Sequence, residues 1–115
     1  MSNYQDLIVW KKSIELTVKI YNILNTYPKE EIYWLVSQMK RCVTSIPSNI
    51  AEWYWRNWKQ EYKQFLWIAK WSSFELETQL IISKELLFIN EKDFNNLYWI
   101  NLEIIKMLTT IISKI

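Results

Sequence analysis

Apolar side chains recur every three or four positions along almost all of this 115-residue chain, the period of an α-helix with one buried face. Leu7, Trp10, Ile14, Val18, Tyr21 and Leu24 form a first stripe. It predicts a helix that starts near Asp6 and ends before Pro28. Pro28 then suits the opening turn of a second helix, where Glu30 and Glu31 favour the positive end of the helix dipole. That helix carries Ile32, Leu35, Val36, Met39, Val43, Ile46 and Ile50. Pro47 falls inside the pattern and removes one backbone hydrogen bond, which predicts a kink and not a stop.

A third stripe runs through Tyr62, Phe65, Leu66, Ala69, Leu76, Leu80, Ser83 and Leu87, with Asn57 as its expected cap and Gln60 as the reciprocal partner. A fourth helix should be capped by Asn90, with Asp93 at the third position and Ile89 stapled onto Phe94. Strand-like alternation, repeats and low-complexity linkers are absent. Four amphipathic helices joined by short turns predict an all-α, antiparallel up-down four-helix bundle, with residues 1–115 as one domain. Val43, Ile46, Phe65, Leu76, Leu80, Leu97 and Leu108 should share its core. At about 100° per residue, Leu97, Ile100, Ile104, Ile105, Met107, Leu108, Ile111, Ile112 and Ile115 cover about half of the fourth helix. That exceeds what a bundle core needs, so the excess predicts a homo-oligomer.

The chemistry available is narrow. The chain has no histidine and one cysteine, which leaves almost no material for zinc sites or for common acid–base and nucleophilic arrangements. No enzyme activity, metal or cofactor is expected. Cys42 has apolar neighbours at helical spacing and reads as a buried structural thiol. A lone cysteine also makes the reducing cytoplasm the default location. The start lacks the pattern of a secretory signal, and no apolar run approaches the roughly 18 residues of a membrane span. Glu75 and Glu77 point to different faces of a helix, and one of them is expected to pair with a basic residue such as Arg41 across the bundle.

Charge is informative by region. Residues 40–70 hold six Lys or Arg against two Glu, whereas residues 71–103 hold two Lys against six acidic residues. Lys40, Arg41, Arg56, Lys59 and Lys63 are therefore the candidate contacts to a phosphate backbone. A solvated helix face is the plainer account of the same residues, and a net charge of only +2 keeps it open.

The segments "DLIVWKKSIELTVKIY", "YPKEEIYWLVSQMKRCVTSIPSNIAE" and "FLWIAKWSSFELETQLIISKEL" resemble the four-helix bundle protein family, also called the 23S rRNA-intervening-sequence protein family. The pairing of "SIPSNIAE" with "ELETQL" is specific, and the resemblance spans nearly the whole chain. It implies a small antiparallel bundle that assembles as a ring of five. A related protein is the accessory variability determinant of diversity-generating retroelements, which binds nucleic acid and a reverse transcriptase. The resemblance implies RNA, DNA, a reverse transcriptase or another protein as partner, and it brings no catalytic residues with it.

Departures from the family pattern run one way. Where the family reads "IYGL", "AEGYGRNGK" and "AKGS", this chain has Trp34, Trp53, Trp55, Trp58 and Trp71. Trp67 and Trp99 fit the same exchange at positions where the family varies, and Trp10 alone matches a family tryptophan. The chain has no glycine and eight tryptophans, although average usage of about 7% predicts roughly eight glycines. A gene that reads UGA as glycine, translated with UGA as tryptophan, gives this pattern. Trp53, Trp55 and Trp58 should then lie exposed around a turn, and Trp10 should be packed as a native aromatic. Taken literally, the same indoles beside Arg56 and Lys59 could stack unpaired bases. The expected function is nucleic-acid binding, or assistance to nucleic-acid processing, through a basic surface; the alternative is a protein-interaction scaffold without nucleic-acid affinity.

Overall fold

A computed structural model describes residues 7–115, all of it helix and connecting turn, with no strand among the described residues. The long helices are α1 (Ile8–Leu24), α2 (Ser37–Trp55), α3 (Gln64–Glu85) and α4 (Glu91–Lys114). The expected start near Asp6 lies outside the described residues. The molecule measures 42 × 24 × 20 Å, so its cross-section is about two helix diameters each way. Each helix packs on two others, in the cyclic order α1, α2, α3, α4.

Side chains that meet across each interface give the direction of the packed helices. Thr17 meets Val43 while Tyr21 meets Lys40; Cys42 meets Glu75 while Ser45 meets Ser72. Ser73 meets Asn101 while Lys84 meets Phe94, and Lys12 meets Glu103 while Lys19 meets Asn96. In every pair one residue number rises as the other falls, so neighbouring helices run antiparallel.

Leu16, Ile20, Met39, Val43, Ile46, Ile50, Leu66, Leu76, Leu80, Ile104 and Leu108 are fully buried. Of the expected core, Phe65 is only partly buried and packs against this cluster. The face of α1 differs from the expected stripe. Val9, Ser13, Leu16, Ile20 and Leu24 point inward, whereas Ile14, Val18 and Tyr21 are exposed. Two apolar stripes compete on this helix, and the buried one contains a serine. Ser13 tolerates burial because its hydroxyl donates to the Trp10 carbonyl at 2.7 Å.

The second helix opens irregularly. Pro28 precedes a 3₁₀ turn at Lys29–Glu31 and a π-helical turn at Ile32–Val36, and Ile32 is exposed. α2 then runs through Pro47 without stopping. Proline has no N–H for the Val43 carbonyl four residues back, and the Thr17 hydroxyl of α1 lies 3.2 Å from that oxygen.

α3 is not capped by Asn57. Its N-cap is Lys63, with no side-chain cap, and a 3₁₀ turn at Gln60–Tyr62 precedes it. Asn57 instead closes α2 in a left-handed conformation, φ 65°. Its N–H donates to the Tyr54 carbonyl and the Trp58 N–H to the Trp53 carbonyl, the Schellman pairing that satisfies the last carbonyls of a helix. The capping box failed here because a helix C-terminus competed for the same asparagine. α3 ends in the same way: Leu87, expected in the core stripe, stands at φ 63° and is exposed. Asn90 does cap α4, accepting from the Asp93 N–H at 2.7 Å.

Most of the apolar surface of α4 is covered within the chain. Leu97, Ile100, Ile104, Ile105 and Leu108 are buried, and Met107, Ile111, Ile112 and Ile115 pack partly buried against the core. Most exposed large apolar side chains of the long helices lie instead on α1 and α3.

Candidate nucleic-acid interface

The turn after α2 collects three of the five candidate cations. Arg56 follows the last residue of α2, and Lys59 and Lys63 flank the 3₁₀ turn that leads into α3. Arg56 Nε donates to Glu52 Oε1 at 2.9 Å, and its guanidinium lies about 5 Å above the rings of Tyr62 and Phe65. The carboxylate raises the Arg56 pKa further, so this cation is both permanent and oriented. Lys59 Nζ is 4.0 Å from Glu61 Oε1. That exposed pair adds little to stability and leaves the ammonium available to solvent.

Lys40 and Arg41 stand apart from this group. Fifteen residues separate Arg41 from Arg56 along α2, or roughly 22 Å of helix. Lys40 is half-buried with its ammonium 5.1 Å above the Tyr21 ring, and Arg41 is exposed. The structure thus divides the five candidates into a mid-bundle pair and a turn cluster.

Antiparallel packing brings further cations to the turn. The start of α1 and the end of α4 lie at the same end of the bundle, which adds Lys11, Lys12, Lys106 and Lys114. With Lys70, this half holds, among the described residues, eight Lys or Arg against Glu15, Glu52, Glu61 and Glu103. Lys12 pairs with Glu103 at 2.8 Å, and its pKa is raised by that partner. Among the described residues the opposite half holds six basic residues against seven acidic ones, with Glu85, Glu91 and Asp93 at the α3–α4 connection. Reading charge along the sequence missed Lys11, Lys106 and Lys114. Projecting the same charges onto an antiparallel bundle finds them.

The tryptophans near the turn behave unequally. Trp55 is 76% exposed, whereas Trp53 is only 4% exposed, contrary to the expectation that it lies in solvent. Three residues after Ile50, Trp53 falls on the buried face of α2. Trp58 stacks on Tyr54 with ring centroids 5.0 Å apart. Trp10 is partly buried against the core.

Cys42 is buried, but its surroundings are not wholly apolar. Gln79 Nε2 donates to its sulfur at 3.4 Å, and the thiol lies 3.7 Å from Glu75 Oε2. Burial pushes the Cys42 thiol above its ordinary range, with Gln79 opposing and Glu75 reinforcing the shift. Such a thiol supplies little thiolate for nucleophilic attack. Glu75 therefore faces Cys42 and not Arg41 as expected; neither Glu75 nor Glu77 forms an ion pair in the described residues. No three His, Cys, Asp or Glu side chains among the described residues are grouped to hold a metal ion. No described helix is long and apolar enough to cross a membrane.

These features define an all-α four-helix bundle with one basic end. The chain belongs to the 23S rRNA-intervening sequence protein family, whose model matches residues 5–110. A solved Bacteroides thetaiotaomicron protein of unknown function, from the S23 ribosomal protein family, is similar to it over the same fold. The two are 26% identical with a TM-score of 0.83, covering 91% of this chain and 98% of that one. Among curated proteins none matches the chain.

Proposed function

We propose that this protein is a non-enzymatic, cytoplasmic homo-oligomer that binds RNA or DNA through the basic end of its bundle. It acts alone or beside a nucleic-acid-processing partner such as a reverse transcriptase. The observation that carries this reading is the convergence of Arg56, Lys59 and Lys63 with Lys11, Lys106 and Lys114 at one end. Phosphate contacts of this kind supply affinity without reading bases. The family and the solved relative both carry ribosomal names, which agrees with a nucleic-acid partner. A cytoplasmic location fits a single cysteine.

Assembly is part of the proposal, and five copies is the number the family resemblance implies. Exposed Ile8, Ile14, Val18 and Tyr21 on α1, with Phe74, Ile81 and Ile82 on α3, favour a second copy as cover. A largely apolar groove of about 490 Å³ between the start of α1 and the end of α4 adds to that surface. A ring repeats the basic end around its axis, so weak sites act together through avidity. The same exposed apolar residues favour the second reading, a protein-interaction scaffold without nucleic-acid affinity.

Alanine variants distinguish the two. Replacing Arg56, Lys59 and Lys63 together should weaken RNA binding and flatten the log–log salt dependence by about 1 for each phosphate no longer neutralised. Arg41→Ala tests the mid-bundle pair in the same assay. Lys84→Ala, at the acidic end, should change little. Equal affinity of the triple variant and the parent protein would remove the turn cluster from the site.

A further inference from the structure

We infer that seven of the eight tryptophans, at positions 34, 53, 55, 58, 67, 71 and 99, are glycine in the living cell, encoded by UGA codons that the host reads as glycine. Trp58 provides the backbone observation. Asn57 and Trp58 both have positive φ, 65° and 58°, so two left-handed residues stand in succession. Asparagine tolerates that region, and side chains other than Gly, Asn and Asp seldom enter it. The second residue of the pair is where a glycine is expected, and the chain has none to offer.

Trp53 provides a second observation of a different kind. Its side chain is buried, yet its indole N–H has no hydrogen-bond partner. Buried tryptophan N–H groups ordinarily find one. At positions 34, 71 and 99, all helical, where glycine lowers helix propensity, exposure is the telling feature. Trp34 is 70% exposed, Trp71 55% and Trp99 57%, although tryptophan is on average a highly buried residue. Trp10 differs from these three exposed residues, because it is partly buried against the core.

The substitution changes what the basic end can recognise. With glycine at 53, 55 and 58, the turn keeps Arg56, Lys59 and Lys63 and loses its indoles. Stacking of bases on those rings then plays no part in the cell.

The test is peptide mass spectrometry of the protein isolated from its own host, read beside the gene. The expected result is glycine in the native peptides at the seven positions, tryptophan at position 10, UGA at the seven codons and UGG at codon 10. Tryptophan in the native peptide spanning 53–58, or UGG at codons 53 and 58, overturns the inference. Neither outcome depends on whether nucleic acid is bound.

Discussion

Pro47 leaves the Val43 carbonyl without its helical donor, and a hydroxyl from another helix stands in. Thr17 Oγ1 is 2.7 Å from the Ser13 carbonyl and 3.2 Å from that of Val43, so one proton is shared between two acceptors. Thr17→Val should therefore cost about 1 kcal/mol. In a Pro47→Ala background the restored N–H serves Val43, and the same change should cost less. Urea unfolding of the four proteins measures the difference; equal costs in both backgrounds contradict the assignment. Cys42 makes a second residue-scale prediction. Its folded-state pKa is raised from 9.0 by burial, so as pH rises past that value the unfolded chain loses the thiol proton before the folded one does. Stability is unaffected by this group at lower pH and falls above it. Tyr27, raised from 10.0 chiefly by burial, steepens the fall at higher pH. Urea unfolding at neutral and alkaline pH should show a smaller alkaline loss in Cys42→Ala.

At the scale of elements, the helix ends decide more than the stripes do. Leu87 holds a left-handed conformation while almost wholly in solvent, so glycine there should stabilise the protein by about 1 kcal/mol. Trp58→Gly relieves the same backbone cost but gives up stacking on Tyr54 worth about 0.5–1.5 kcal/mol. Its gain should be smaller, and thermal unfolding ranks the two. An equal gain from Trp58→Gly would mean that the stacking contributes nothing. The four helices were legible in the sequence because a period of three to four residues survives in each, and Asn90 was legible as a cap. The start of α3 was not, since an asparagine before a helix and one after a helix look alike in sequence. The buried face of α1 was also hidden, because burial of Ser13 depends on a backbone acceptor that composition does not reveal. The turn cations Arg56, Lys59 and Lys63 could be read from charge along the chain. Lys11, Lys106 and Lys114 needed the topology.

For the molecule as a whole, antiparallel packing turns a modest net charge into a basic end and a mildly acidic one. The exposed apolar faces of α1 and α3 then favour assembly around that polarity. Sedimentation should find the protein oligomeric, and Ile14→Glu with Val18→Glu should release monomers that keep their helical circular dichroism. Monomers at all concentrations from the parent protein would remove the ring and its avidity. The most direct measurement is a salt titration of binding to single-stranded and structured RNA and DNA. It should use the assembled protein made with glycine at the seven positions, so that no exposed indole stacks on a base. With the three turn cations of a subunit each on a phosphate, the logarithm of the affinity should fall linearly with that of salt, with a slope of about −3 for each engaged subunit, and little sequence preference. Absence of binding at the lowest salt, or an affinity indifferent to salt, contradicts the proposal and leaves the scaffold reading standing.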